Sequence, residues 1–406
     1  MMIESDISFK GYKKTEDIHG IALYPAMMAA PSQKVIMDEL IRKSNIKSVF
    51  DPFVGSGTTL FEAKEVSPEI RAVGCDINPL AYLITKVKLQ GVSSNLDMEI
   101  DRVEAFANGL VDVECHSFDN IEKWFRKDII NSLSVLRTSI MMVEDDRDRM
   151  FFWCVLTNIV RKYSNTRSST YKLHIKDSAQ IDRLENNVIR DYFRLLRLCS
   201  GKFKKTFSNY VLYKCDSVKK MKDFCDKEFD MTITSPPYGD NGTTVPYGQF
   251  SSLQLRWIDS RDLELEGWEM ENYSSIDRKS LGGSQTRGLT VDEVSILEPY
   301  LSKIDVKKHA KVKRFFADYF DAMGEIARVT KTHIAITLGN RTVDRVKIDL
   351  VDVTKTFFES KGFSVSDELN REIPSKRIPS KTSSVRSKPV ESITKEVIVI
   401  FSNLNS

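Results

Sequence analysis

The stretch of this 406-residue chain most suited to chemistry is Phe229-Asp230-Met231-Thr232-Ile233-Thr234-Ser235-Pro236-Pro237-Tyr238-Gly239. Apolar residues alternate with small polar ones as far as Thr234, the pattern of a buried strand, and two prolines then end the run. Each proline pushes the residue before it out of the helical region, so Ser235 and Pro236 are predicted to hold an extended, rigid backbone. Pro236 has no amide hydrogen. The corner therefore presents acceptors, the Ser235 hydroxyl and the Pro236 carbonyl, beside the aromatic face of Tyr238. Such a corner suits a planar ring that carries an amino group. A Pro-Pro-Tyr tripeptide alone is more often a turn or linker, and its place at the end of a buried strand is what raises its interest.

A second chemical stretch lies upstream, at Ile46 to Ala63. It contains Asp51-Pro52-Phe53-Val54-Gly55-Ser56-Gly57-Thr58-Thr59 and reads as strand, glycine turn and helix. Glycines let the backbone approach a ligand closely, and the following helix opens with free amide hydrogens. No Lys-Ser/Thr pair follows the turn, and the third glycine of the dinucleotide pattern is missing. A second strand, Ile70 to Asp76, ends in an acid nineteen residues after Gly57. That is the length of one strand-helix-strand unit, and it places Asp76 to accept hydrogen bonds from ribose hydroxyls. The plainer alternative for Asp76 is a cap on the helix that starts near Asn78-Pro79.

Together these stretches resemble the amino-group-specific DNA methyltransferases of restriction-modification systems, which act on cytosine N4 or adenine N6. Thr-Ser-Pro-Pro-Tyr is similar to their catalytic motif. Asp-Pro-Phe-Val-Gly-Ser-Gly-Thr-Thr with Gly-Cys-Asp-Ile-Asn-Pro is similar to their motifs for S-adenosyl-L-methionine. The resemblance implies catalytic roles for Ser235, Pro236, Pro237 and Tyr238. It implies cofactor contacts from Asp51, Phe53, Gly55, Ser56, Gly57, Thr58, Thr59, Asp76 and Ile77. Tyr24, in Tyr24-Pro25-Ala26, matches a family element near the methionine end of the cofactor. Asp216, at the end of the strand Tyr210 to Asp216, matches an acid that faces the adenine amino group; read by itself, it caps the next helix. The Ser-Pro-Pro form is associated with cytosine N4, and Asp-Pro-Pro or Asn-Pro-Pro mostly with adenine N6. No Pro-Cys dipeptide of the kind used for attack on cytosine C6 occurs in the chain, which disfavours C5 methylation.

The elements that must position these residues follow from periodicity. The expected fold is α/β, an S-adenosylmethionine-dependent, Rossmann-like mixed sheet with helices on both faces. Helices are predicted from Ser32, as N-cap, to Arg42, from Val306 to Val329 and near Leu350 to Ser360. Strands are predicted at His333 to Arg341 and Glu396 to Phe401. From 91 to 209 the strand-helix rhythm gives way to helical periodicity at Phe106–Val111, Ile121–Leu136, Phe151–Val160 and Ile181–Leu198. This reads as a helical insertion between strands two and three, and residues 1–90 and 210–406 form the catalytic domain. Gly239 to Gly248 suits a mobile lid, and Asp259 to Leu289 reads as a long polar loop.

The glycine motif precedes the catalytic motif, an order opposite to that of the relatives in which this wording is commoner. Target recognition could therefore lie in 91–209, in 259–305, or in both. Arg161, Lys162, Arg167 and Lys172 form one candidate DNA-binding run, and Lys376 and Arg377, between Pro374 and Pro379, form another.

A formal charge of +3 and a pI near 8.3 are only mildly basic, so any nucleic-acid surface must come from local clustering. Six scattered cysteines and five unclustered histidines argue against zinc and against disulfides. No signal peptide and no run of about eighteen apolar residues is present, which predicts a cytoplasmic, prokaryotic, DNA-associated protein away from membranes.

The function expected is methyl transfer to the N4 amine of a flipped cytosine in double-stranded DNA, with a cognate restriction endonuclease as possible partner. The alternatives are adenine N6 on the same scaffold, an RNA guanine-N2 methyltransferase, and a non-catalytic DNA-binding protein. The stretch before the glycine turn is too short for the N-terminal RNA-binding domain of the RNA enzymes, and both motifs are intact.

Overall fold

The computed structural model describes residues 7–9, 11–239, 245–280, 287–372, 381–382, 390–391 and 395–404. The chain starts with helix α1 (Ala30–Ser44), strand β1 (Ser48–Asp51), α2 (Thr58–Val66), β2 (Arg71–Asp76) and α3 (Pro79–Gln90). A helical stretch follows, with α4 (Leu96–Gly109), α5 (Ile121–Trp124), α6 (Lys127–Ile140), α7 (Asp146–Tyr163), α8 (Ser178–Asp182) and α9 (Val188–Ser200). Then come β3 (Tyr210–Lys214), α10 (Ser217–Met221), β4 (Phe229–Thr234), α11 (Tyr247–Trp257), α12 (Gly267–Glu271), α13 (Ser274–Lys279), α14 (Val291–Leu301) and α15 (Val306–Val329). The chain closes with β5 (Thr330–Leu338), the hairpin β6 (Arg341–Val343) and β7 (Val346–Ile348), α16 (Leu350–Ser360), β8 (Phe363–Glu372), the pair β9 (Lys381–Thr382) and β10 (Val390–Glu391), and β11 (Lys395–Asn403).

Among the described residues, seven strands form one sheet in the order β3-β2-β1-β4-β5-β11-β8. The pairs from β3 to β5 are parallel, and β11 runs antiparallel between β5 and β8. Strand order reverses between β1 and β4: the chain leaves β1 toward β2 and β3, then returns to β4 and moves the other way to β5. In an open α/β sheet the crevice at such a reversal, beyond the carboxyl ends of the strands, is where ligands bind. The glycine turn and the Ser-Pro-Pro corner leave from those two ends.

Alternation along the strands splits the core into two faces. Phe50, Val73 and Phe229 pack with Phe315, Phe316 and Phe358 of α15 and α16, while Val49, Ala72 and Met231 pack with Ile36, Leu40 and Leu60 of α1 and α2. The helices between β2 and β3 share a third core with Leu83 and Ile84 of α3 and Phe250 and Leu253 of α11. They do not stand apart from the sheet domain, because α7, buried along its middle at Phe151, Phe152 and Trp153, packs against α3, α9 and α11.

Several sequence expectations change. Ser32 lies inside α1, whose cap position is Ala29. Pro31 fits the first turn, where its missing amide hydrogen costs nothing, and Ser32 Oγ donates to Ile7 O at 2.7 Å. The 259–289 stretch contains α12, closed by a capping box of Glu266 and Glu269, and α13, with Tyr273 and Ile276 buried. Tyr247 and Gly248, assigned to a lid, open α11; residues 240–244 of that lid lie outside the described residues. The strand expected at His333–Arg341 starts at Thr330 and stops at Leu338, and Arg341 begins the hairpin.

Candidate active site

A cavity of about 930 Å³, its open mouth included, lies over the carboxyl ends of β1 to β4. Of the residues singled out for the cofactor, Tyr24, Phe53, Gly55, Ser56, Thr58, Asp76, Ile77 and Asp216 line it, and so do Ser235 and Pro237 of the proline corner. Asp51, Gly57, Thr59, Pro236 and Tyr238 do not line it.

Asp51 ends β1 and joins the two loops. Its Oδ1 accepts from Phe53 N at 3.0 Å and from Thr234 Oγ1 at 2.6 Å, so the residue before Ser235 is tied to the start of the glycine turn. Its other oxygen is buried, as is the nearby Thr59 hydroxyl, whose interaction with the carboxylate favours the charged form. Burial pushes the Asp51 carboxyl up to about 7 despite these hydrogen bonds.

Asp76 ends β2. It accepts from Gly55 N and from Asn78 N, each at 2.8 Å. Asn78, not Asp76, is the N-cap of α3, accepting from Leu80 N at 3.0 Å, so the capping alternative for Asp76 falls. Burial raises Asp76 to about 6, with its backbone hydrogen bonds acting in the opposite direction.

Asp216 does cap α10, accepting from Val218 N at 3.0 Å and Lys219 N at 3.2 Å, and it also lines the cavity. Its neighbour Ser217 donates to Pro52 O, which binds the β3 loop to the β1 loop.

The glycine turn needs its glycines. Gly55 and Gly57 sit at φ +52° and +76°, and a Cβ on Gly57 would come within 2.7 Å of the Thr85 side chain.

At the proline corner, Ser235 Oγ lies 3.1 Å from Tyr238 Oη. The Tyr238 ring is half-buried against the cluster that holds Phe50, Phe315 and Val399. The ring thus packs partly on the sheet core, outside the cavity lining, while its hydroxyl meets Ser235.

Residues given no role from the sequence complete the wall, some of them through Tyr24. Tyr247 stacks on Tyr24, with centroids 5.7 Å apart, and Asn78 Nδ2 donates to Ser251 Oγ at 2.8 Å and to Tyr24 Oη at 3.2 Å. Met27, Met28, Ser217, Ile276, Lys279 and Ser280 also line the cavity. Asn78 had a signal, an Asx residue before Pro79 at a helix start; the others are brought in by tertiary packing.

The basic run is only partly a surface. Arg161 is buried, donates to Arg167 O at 3.1 Å and Thr170 O at 2.6 Å, and lies over the Phe250 ring. It braces its own loop, so its assignment as a DNA contact is corrected. Lys162 pairs with Asp191, and Arg167 lies 3.4 Å from Asp177. Lys172 is exposed. The loop is closed by a bridge between Thr166 and Ile175, and Tyr171 meets Phe250 edge-on at 5.7 Å, which sets the loop beside α11. Lys376 and Arg377 lie outside the described residues. Among the described residues no cluster of His, Cys, Asp or Glu could hold a metal ion, and no helix is long and apolar enough to cross a membrane. All six cysteines are free.

No family model and no solved structure matches the chain. It is 28% identical, over 432 aligned positions, to the type II methyltransferase M.MvaI of Kocuria varians, covering 98% of this chain and 93% of that protein. A shorter match, 32% identical over 108 positions, links 25% of the chain to 19% of the type II methyltransferase M.MjaII of Methanocaldococcus jannaschii. A likeness running through nearly all of this chain and of M.MvaI, added to a mostly parallel sheet with its cavity at the switch point, supports a methyltransferase of the type II kind.

Proposed function

We propose that this chain transfers a methyl group from S-adenosyl-L-methionine to the exocyclic N4 amine of cytosine in duplex DNA, as the modification half of a restriction-modification system. The observation that carries this reading is the meeting of two loops in one cavity, with Gly55, Asp76 and Asp216 lining it beside Ser235 and Pro237.

The residues fit the cofactor. Asp76, its carboxyl raised by burial to about 6, offers acceptors to ribose hydroxyls. Asp216, which lines the same cavity, would accept from the adenine amino group. When bound, S-adenosylmethionine supplies an electrophilic methyl group on its sulfonium.

The rest is done by the chain. The cytosine amine is a poor nucleophile because its lone pair is delocalised into the ring. Hydrogen bonds from the amine to Ser235 Oγ and to the Pro236 carbonyl would favour a pyramidal nitrogen whose lone pair points at the methyl group; as the N–C bond forms, the C–S electron pair goes to sulfur and the nitrogen loses one proton by way of Ser235 Oγ to solvent. A Ser235 hydroxyl that gives its proton to Tyr238 Oη keeps both lone pairs for the amine. No covalent enzyme intermediate is required.

The amine is buried in the duplex, so the base must leave the stack at a cost of roughly a few kcal/mol. Lys172 and Arg167, exposed on the loop beside α11, are the cations of the basic run proposed to meet the phosphates. On this reading the segment 91–209 takes part in reading the target.

The test is transfer of tritium from methyl-labelled S-adenosylmethionine. Unmethylated duplex DNA is expected to take up label and RNA none, with Ser235→Ala slowed on the order of a hundredfold at unchanged cofactor affinity. Label in RNA, or a Ser235→Ala variant as fast as the parent, would contradict the assignment.

A further inference from the structure

Two side chains one helical turn apart on α3 hold the glycine turn from behind. Thr85 Oγ1 donates to Gly55 O at 3.0 Å, and Lys88 Nζ donates to Ser56 O at 2.6 Å. Both residues have no exposed surface, and neither lines the cavity. Lys88 Nζ also lies 3.3 Å from His19 Nδ1, and His19 Nε2 lies 2.8 Å from Glu62 Oε1. A lysine this deep in a protein is costly unless its donors are used, and here one of them is spent on a loop carbonyl.

The consequence for the turn is one of orientation. Peptide planes are trans, so the C=O of one residue and the N–H of the next point in opposite directions. With the Gly55 carbonyl drawn toward α3, the Ser56 N–H faces away from α3, on the side where Ser56 lines the cavity. That N–H has no hydrogen-bond partner among the described residues, whereas Gly55 N is taken by Asp76 and Gly57 N by Val54 O. The carboxylate of S-adenosylmethionine cannot sit against Asp76 or Asp216 and needs donors.

We propose, resting on the reading of this cavity as the cofactor site, that Thr85 and Lys88 are positioning residues: Thr85 draws the Gly55 carbonyl backward so that the Ser56 N–H is offered to the ligand's carboxylate, and Lys88 holds the Ser56 carbonyl oxygen away from it. The probes are S-adenosylhomocysteine, which keeps the carboxylate, and 5′-methylthioadenosine, which lacks the amino-acid chain. Thr85→Val and Lys88→Met, each in the full chain, remove the donors at similar volume.

Calorimetric titration is expected to show S-adenosylhomocysteine binding about tenfold weaker in each variant, with 5′-methylthioadenosine little changed. Thr85→Val keeps the test decisive if Lys88→Met does not fold. Equal weakening of both ligands, which a general loosening of the loop would give, or no weakening of either, overturns the proposal. Parent protein that binds neither compound overturns instead the reading of the cavity on which it rests.

Discussion

Asp51 carries a charge problem that the fold puts to use. A fully buried carboxyl bonded to Phe53 N and Thr234 Oγ1 holds the two functional loops together, and burial raises it to about 7. A group raised in the folded state stabilises most below its unfolded value, and that contribution is lost as pH rises through the folded value. Asp51→Asn keeps an acceptor for Thr234 but cannot ionise. Its unfolding free energy, measured in urea from about pH 4 to 8, is expected to gain on the parent as pH rises, by on the order of 4 kcal/mol across the window. A difference that stays constant with pH would show that Asp51 does not titrate in this range. The acids at the strand tips could be read from the sequence, because an acid ending a buried run has few places to point. The fate of Arg161 could not: its run looks like solvated charge, and only the position of Phe250, far along the chain, shows that the guanidinium is inside.

At the scale of elements, α11 and α13 contribute Tyr247, Ile276 and Lys279 to the cavity wall. The first turn of α11 is capped from a distance: Asp277 of α13 accepts from Gly248 N at 2.7 Å and from Gln249 N at 3.0 Å. Gly248 is required there, since a Cβ would meet Tyr273 O at 2.9 Å. Asp277→Ala is expected to lower stability by about 1 kcal/mol in denaturant unfolding. Because Tyr247 opens that helix and stacks on Tyr24, the KM for the cofactor should rise severalfold with kcat little changed; an unchanged KM would separate α11 from the site. This distant cap also explains why α11 escaped sequence reading, since no local capping residue announces it. In contrast α15 and α16 were legible to the residue, having strong apolar periodicity and local acids, Asp305 and Asp349, at their starts. Strand β8 was missed because it lies at the sheet edge and carries Asp367, Glu368, Arg371 and Glu372, a charged pattern that guards an edge and hides a strand.

Across the whole molecule, two motifs well over a hundred residues apart in the chain open into one cavity because β1 and β4 are neighbours. The sequence pattern predicts that both motifs end strands; that those strands adjoin is seen in the sheet itself. What the sequence did not show is that the helices of 91–209 share a core with α3, the helix that also grips the glycine turn. The proposed target-reading segment and the glycine turn therefore share one packed body. The proposed reaction is defined by its acceptor atom. The direct measurement is digestion of DNA methylated by the purified protein, followed by mass spectrometry of the nucleosides. The account predicts N4-methyldeoxycytidine bearing the methyl group of labelled S-adenosylmethionine; the label in N6-methyldeoxyadenosine or C5-methyldeoxycytidine instead would contradict it.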